Sequence, residues 1–220
     1  MLIALAACGD ESTKPQEEIN LISLGSLMDS STEWLIMLGS AEDYQGAAQV
    51  DSYLIRYNGT GAPNNVELVI NNIAHPLVSN AKGIYYQFAE SVPPVFTAGA
   101  SYQLKLKVDN FTKAECSIRI PAIPTLSIAD GFNSAQDCNF QWALATASQV
   151  QYIIGEPPSE SQVIMATLAP EVREYSYKAN TISAQTGWYE FGVVEANYEV
   201  VNNIRFCTMY AGWDKAQQTK

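Results

Sequence analysis

The chain has 220 residues and 24.1 kDa, with 47% of its residues hydrophobic and 16% charged; this excludes a disordered polyelectrolyte and leaves enough apolar material for one or two cores. Asp and Glu outnumber Lys and Arg by 23 to 12, for a net charge of -11. A phosphate backbone would be repelled, so nucleic acid is excluded as a partner.

From the N-terminus, residues 2–7 are uninterrupted apolar and small. They are followed by Cys8 and by a polar, acidic, aperiodic stretch, Gly9-Asp10-Glu11-Ser12-Thr13-Lys14-Pro15-Gln16-Glu17-Glu18, which reads as a solvated tether over 8–18. The run Leu5-Ala6-Ala7-Cys8 resembles the lipobox of bacterial lipoproteins. That resemblance implies cleavage before Cys8, lipidation of Cys8, and a mature chain held at a membrane of the bacterial cell envelope through its N-terminal lipid, either periplasmic or surface-exposed. Residues 1–7 would then be part of a signal peptide that starts upstream of Met1, because no Lys or Arg precedes the apolar run. Elsewhere no apolar run approaches the roughly 20 residues that span a bilayer.

Beyond the tether, apolar residues recur at every second position. Tyr102-Gln103-Leu104-Lys105-Leu106-Lys107-Val108-Asp109 places every apolar side chain on one face and every polar one on the other, the pattern of a half-buried strand. Similar runs predict strands at 20–24, 34–38, 52–57, 66–70, 84–88 and 116–120, separated by turn formers such as Asn58-Gly59-Thr60-Gly61, Asn71-Asn72 and Pro93-Pro94. Pro121-Ala122-Ile123-Pro124 then interrupts the ladder, since two prolines remove backbone donors and hold the chain extended. A second series is predicted at 125–129, 138–143, 150–154, 162–168, 173–177, 189–193 and 204–210. The expectation is all-β: two consecutive antiparallel β-sandwiches, over 19–120 and 125–212, joined by a stiff link.

In the second series, Phe140-Gln141-Trp142 resembles the early tryptophan strand of fibronectin type III domains. Tyr189-Glu190-Phe191-Gly192-Val193-Val194-Glu195-Ala196-Asn197 is similar to that family's penultimate strand. The first series, with Ser101-Tyr102 opening the Lys-Leu-Lys strand, resembles the immunoglobulin-like domains of bacterial surface lipoproteins. The resemblance implies interaction or scaffolding, and immunoglobulin-like strand arrangements remain open for both halves.

The inventory for catalysis is sparse. His75 is the single histidine, set in Ile73-Ala74-His75-Pro76 at an expected strand end, where a solvent-facing turn residue is the simplest reading. No Gly-x-Ser-x-Gly elbow or phosphate-binding glycine loop occurs. The acids Glu42, Asp43, Glu156, Glu160, Glu171 and Glu174 fall in loops or on polar faces, so solvated charge accounts for them better than an acid pair for glycoside hydrolysis. With Cys8 set aside, Cys116, Cys138 and Cys207 show no metal-ligand spacing. Cys116 falls on the apolar face of its strand, and a Cys138–Cys207 bridge is left open although Cys207 has the parity opposite to Ile204 and Phe206. No metal or cofactor is expected.

Aromatics carry the functional lead. Tyr44, Tyr85, Trp188, Tyr198 and Trp213 lie off the apolar parity or in loops, where a flat ring anchors a protein interface or stacks on a sugar. Trp188 precedes the register of Tyr189, Phe191 and Val193 and is expected to point away from that core. Three readings follow in order: a non-catalytic envelope lipoprotein serving protein binding, adhesion or assembly; a glycan-binding surface module; and an acid-pair glycosidase.

Overall fold

Strands with one apolar face must pair edge to edge and then hide that face against a second layer. The computed structural model describes residues 31–42, 49–80, 82–128, 132–158 and 164–217, and within them every regular element is a strand. The first seven are β1 (Trp34–Glu42), β2 (Gln49–Tyr57), β3 (Val66–Ile70), β4 (Ile73–Ser79), β5 (Tyr85–Phe88), β6 (Ser101–Val108) and β7 (Phe111–Arg119). The second seven are β8 (Thr125–Ile128), β9 (Cys138–Ala143), β10 (Val150–Glu156), β11 (Ile164–Leu168), β12 (Glu174–Tyr177), β13 (Trp188–Val201) and β14 (Ile204–Gln217). Among the described residues no helix is long and apolar enough to cross a membrane.

The two series share one wiring. The first runs β1-β2-β5-β4-β3-β6-β7, and the second places β12-β9-β8 opposite β11-β10-β13-β14. In each, the first, second and fifth strands form one layer and the fourth, third, sixth and seventh form the other. Each sixth strand carries a tyrosine as its second residue, and its hydroxyl ties down the incoming loop. Tyr102 accepts from the Thr97 amide at 2.8 Å, and Tyr189 donates to the Ser183 carbonyl at 2.9 Å. These are tyrosine corners, a hallmark of immunoglobulin-like sandwiches.

Three hairpins close on two-residue turns in which both residues have positive φ: Asn71-Asn72 (48° and 67°), Asp109-Asn110 (52° and 66°) and Asn202-Asn203 (50° and 62°). That is the type I′ geometry matching strand twist, and Asn and Asp tolerate it better than other side chains.

The predicted strand at 20–24 lies outside the described residues. In the first series the structure supplies instead β4, which the sequence pattern missed. His75 sits inside β4, opposite Leu68 and edge-on to Phe88 with ring centroids 5.8 Å apart, so it is a partly buried strand residue rather than a turn residue. Its Nδ1 lies 3.0 Å from a Glu90 carboxylate oxygen. β4 tolerates Pro76 because Glu67 opposes it at the point where the strand leaves β3 and turns to pair with β5 through Leu77, Val78 and Ser79.

The halves are joined by more than their linker. β14 pairs antiparallel with β13 and also parallel with β1, in register from Trp34 opposite Ile204 to Ala41 opposite Ala211. One eleven-stranded sheet therefore runs through both sandwiches. The first core, around Trp34, Ile36, Leu68, Leu106 and Ile118, takes in Ile204, Phe206 and Tyr210 from β14. The second core surrounds Phe140, Trp142, Tyr177, Tyr189 and Phe191 and takes in Ala216 from the far end of the same strand. The Pro121-to-Pro124 link lies against β14 at Gly212, where any side chain would overlap the Pro124 carbonyl oxygen.

Because β14 fills both cores, the sandwiches should unfold together. Thermal unfolding followed by Trp34 fluorescence in a variant with Trp142, Trp188 and Trp213 replaced by Phe, and by Trp142 fluorescence in one with Trp34, Trp188 and Trp213 replaced by Phe, is expected to give coincident transitions. Phe206→Ala should weaken both by about 3–5 kcal/mol. A Phe206→Ala protein in which only the Trp34 signal moves would show the halves to be independent.

Candidate functional site

The joint between the modules is polar where the cores are apolar. Asn197 on β13 donates through Nδ2 to the Arg119 carbonyl at 2.9 Å, and Thr208 on β14 donates to the same oxygen at 2.6 Å. Asn202 Nδ2 reaches the Lys113 carbonyl at 3.0 Å. Beside this seam Glu195, opposite Gln151 on β10 and Tyr210 on β14, is fully buried. Its carboxylate accepts from Ser148 Oγ and Gln151 Nε2. Burial pushes the Glu195 carboxyl above its ordinary range, while the hydrogen bonds from Ser148 and Gln151 and the nearby Arg173 charge pull the other way. A shallow notch of about 210 Å³ opens here, lined among others by Arg119, Gln149, Asn197, Tyr198 and Glu199. Its polar lining is already engaged: Gln149 Oε1 accepts from the Tyr198 amide within the second module, Arg119 Nε donates to the Gly99 carbonyl within the first, and Asn197 crosses between them to the Arg119 carbonyl.

The four aromatic candidates that fall within the described residues share a different location. On β13, Tyr189, Phe191 and Val193 point into the second core, so Trp188 and Tyr198 point to the opposite face. Trp213 on β14 lies on that face, across from Gly192, over which its indole lies flat; a Cβ there would sit 2.7 Å from the ring. Tyr85 pairs with Arg56 on the outward side of β5. All four thus lie on the outer face of the continuous sheet. Trp188, Tyr85 and Tyr198 are 52%, 45% and 37% exposed, whereas Trp213 is half-buried. The expected orientation of Trp188 is observed. Arg205 stands over the Tyr198 ring at 5.4 Å, a cation–π contact. Tyr44 and Cys8 lie outside the described residues.

Between these rings lies a third apolar cluster that the sequence reading missed: Leu35 and Met37 of β1, Tyr152 and Ile154 of β10, Val194 and Ala196 of β13, Cys207 and Ala211 of β14. It draws every member from one face of one sheet. The signal for it was the loss of alternation in β1 and β13, where consecutive residues are apolar because both faces are covered. Trp188 and Tyr198 are ten residues apart, about 33 Å along the strand, and they mark opposite ends of this patch. Tyr85 is four strands from β13, about 19 Å. The rings therefore rim the patch and do not form one stacking platform.

Cys207 belongs to this outer cluster and Cys138 to the second core, on opposite sides of the sheet; with Cys116 they are free thiols. Burial pushes Cys207 and Cys116 up to about 12 and Cys138 up to about 11, which makes them inert as nucleophiles. Among the described residues no group of three His, Cys, Asp or Glu side chains is placed to hold a metal ion.

No protein-family model matches the chain, and no curated protein matches it in sequence. Solved structures similar to it include the FN1–FN3 domains of chicken CNTN1 (13% identity, covering 83% of this chain and 63% of that one, TM-score 0.30). Others are a two fibronectin type III domain segment of chicken tenascin (10%, 73% and 90%, 0.31) and the chicken interferon gamma receptor alpha chain (10%, 81% and 95%, 0.26). The strand order and the two tyrosine corners define the class: tandem β-sandwich modules, fibronectin type III-like and immunoglobulin-like.

A carboxyl raised by burial ionises in the unfolded chain before it does in the folded protein. Its contribution to stability therefore falls as pH rises from the ordinary carboxylate value through the raised one. Glu195→Gln is accordingly expected to melt higher than the parent at pH 8, with the difference shrinking toward pH 4; a difference constant across that range would remove the assignment. Gly192→Ala should lift the Trp213 ring and cost about 1–3 kcal/mol, read by urea unfolding.

Proposed function

We propose that this chain is a non-catalytic lipoprotein of the bacterial cell envelope, tied to a membrane by a lipid on Cys8, whose two sandwiches form a single stiff unit for protein binding, adhesion or assembly. The observation that carries the reading is the β1–β14 pairing, which turns two modules on a short linker into one body with a fixed spacing. Such a body holds a surface at a set distance and angle, as scaffolding and adhesion require and turnover does not. The lipid anchor is supported by Leu5-Ala6-Ala7-Cys8 followed at once by the polar tether.

A glycan partner is the second reading. It is favoured by Trp188, whose ring stands half out of the sheet at the end of β13, since an exposed indole is the side chain best suited to stack on a sugar face. The isolated position of that ring favours protein over glycan, because sugar sites usually set several polar groups around the stacking plane.

Metabolic labelling with a radioactive fatty acid in a bacterial host is expected to label the parent chain. Cys8→Ala should lose the label and move the protein from the membrane to the soluble fraction; label retained by Cys8→Ala refutes the anchor. A glycan array probed with the parent and with Trp188→Ala decides the partner class: a hit abolished by the substitution replaces the protein-binding reading with the glycan one.

A further inference from the structure

Two contacts at the joint compete for one proton. Ser148 Oγ lies 2.9 Å from the Val150 carbonyl and also meets the carboxyl of Glu195, a fully buried residue. A hydroxyl has a single proton and a carbonyl only accepts. With Glu195 ionised, Ser148 serves either the carboxylate or Val150, and the other acceptor loses that bond. With Glu195 protonated, the carboxyl donates to Ser148 Oγ, the hydroxyl donates onward to Val150, and both contacts are satisfied. Gln151 Nε2 donates to the second carboxyl oxygen in either form.

Gln151 faces Glu195 from β10 and Ser148 from the loop before it, both uncharged, and Tyr210 stands opposite it on β14. Among the described residues the cation that acts on it is Arg173, from the segment leading into β12. The Arg173 Nη1 is already engaged at 2.6 Å by the Pro170 and Val172 carbonyls. Arg119 of β7 and Glu199 of β13 line the notch nearby. From this buried cluster a chain of hydrogen bonds leads to the first module. Ser148 is followed by Gln149, whose amide donates to Asn197 Oδ1 at 3.0 Å and whose Oε1 accepts from the Tyr198 amide at 2.6 Å. Held in this way, Asn197 presents Nδ2 to the Arg119 carbonyl at the end of β7. Ala147 and Gln149 line the notch as well, so water has a short path to the carboxyl once this loop moves.

We propose that Glu195 is a proton-operated latch on the joint: protonated, it holds loop 147–149 and, through Asn197, locks the second module against β7; ionised, it admits water through the notch and releases the loop. The modules then stay joined along the β1–β14 ladder and swing about it as a spine. The latch rests on the reading of the two sandwiches as one stiff body and adds the condition under which that body is stiff. Burial pushes the Glu195 carboxyl up, whereas a carboxyl hydrated in the open joint returns to its ordinary value. The closed joint is therefore favoured at low pH and loses its advantage as pH rises from the ordinary value through the raised one.

The test uses the full chain with one nitroxide-bearing residue in place of Gln103 and another in place of Asn139, exposed positions on β6 and β9 of the first and second modules. Pulsed electron resonance is expected to give one narrow distance distribution at pH 4 and one roughly twice as wide at pH 8, with near-ultraviolet circular dichroism unchanged. Glu195→Gln, which stays neutral, should remain narrow at both values, and Asn197→Ala should be wide at both. A parent that is wide at both values shows that the modules are not one stiff body, and it removes that reading together with the latch. A parent that is narrow at both leaves the stiff body standing and overturns the latch alone. Broadening that persists in Glu195→Gln, or that accompanies loss of the dichroism signal, also overturns the latch, as does an Asn197→Ala joint that stays narrow. Should a variant fail to fold, hydrogen exchange in the parent decides. Protection of the Tyr198 amide, corrected for the intrinsic effect of pH, should fall about tenfold or more between those values while the amides of the β1–β14 ladder hold; equal protection at both overturns the latch.

Discussion

The parallel pairing of β1 with β14 organises the molecule. β1 is buried on both faces, with Trp34, Ile36 and Leu38 in the first core and Leu35 and Met37 in the outer cluster. A strand of that kind cannot stand at the edge of a sheet without leaving backbone donors and apolar side chains open to water. Antiparallel β2 occupies one side and β14 the other. The partners Trp34 and Ile204 are 170 residues apart in the chain (34 against 204), so nearly the whole sequence must be present before the first module completes its core. Closing so long a loop early is entropically unfavourable. The most economical order therefore forms the local β13–β14 hairpin on its Asn202-Asn203 turn and then docks β1 against it.

A continuous sheet with two cores on one side needs something to keep those cores from merging, and the polar seam does so. Thr208 and Asn197 both hold the Arg119 carbonyl, and Glu195, Gln151 and Ser148 fill the space beside it with hydrogen bonds. Apolar residues here would give one long interior free to slide in register. Directional bonds instead fix the angle between the modules, at the cost of burying a carboxyl whose charged form is disfavoured.

Much of this was legible in the sequence, and the parts that were not have definable causes. Alternation located most strands because each has one wet and one dry face: Phe140 and Trp142 alternate with Asn139 and Gln141 in β9 as the period-two rule requires. The same rule stopped β13 at Val193 and β14 at Tyr210, although both continue. Beyond those points Val194, Ala196 and Ala211 pack into the outer cluster while Ala216 packs into the second core, and alternation disappears. β4 was hidden by Pro76 and by a change of partner within seven residues. The burial of Glu195 was not legible, since nothing local in the sequence marks Ser148 and Gln151 as the donors to its carboxylate. The aromatic residues were found individually by their wrong parity, but their common face was not, because it depends on a strand pairing between residues of the two halves.

That common face explains why aromatics of the wrong parity share one location. A tyrosine or tryptophan on the wrong side of an ordinary sandwich strand meets solvent alone. Here the sheet continues through both modules, so outward rings from β5, β13 and β14 fall on one surface. Its exposed part is an amphipathic rim of Trp188, Tyr198 and Tyr85 with Arg56 and Arg205 among the rings, while Leu35, Tyr152, Ala196 and Cys207 between them are buried. The rigid joint makes the rim's spacing a fixed property of the molecule. A single module, lacking the β1–β14 register, would carry the same side chains without the surface.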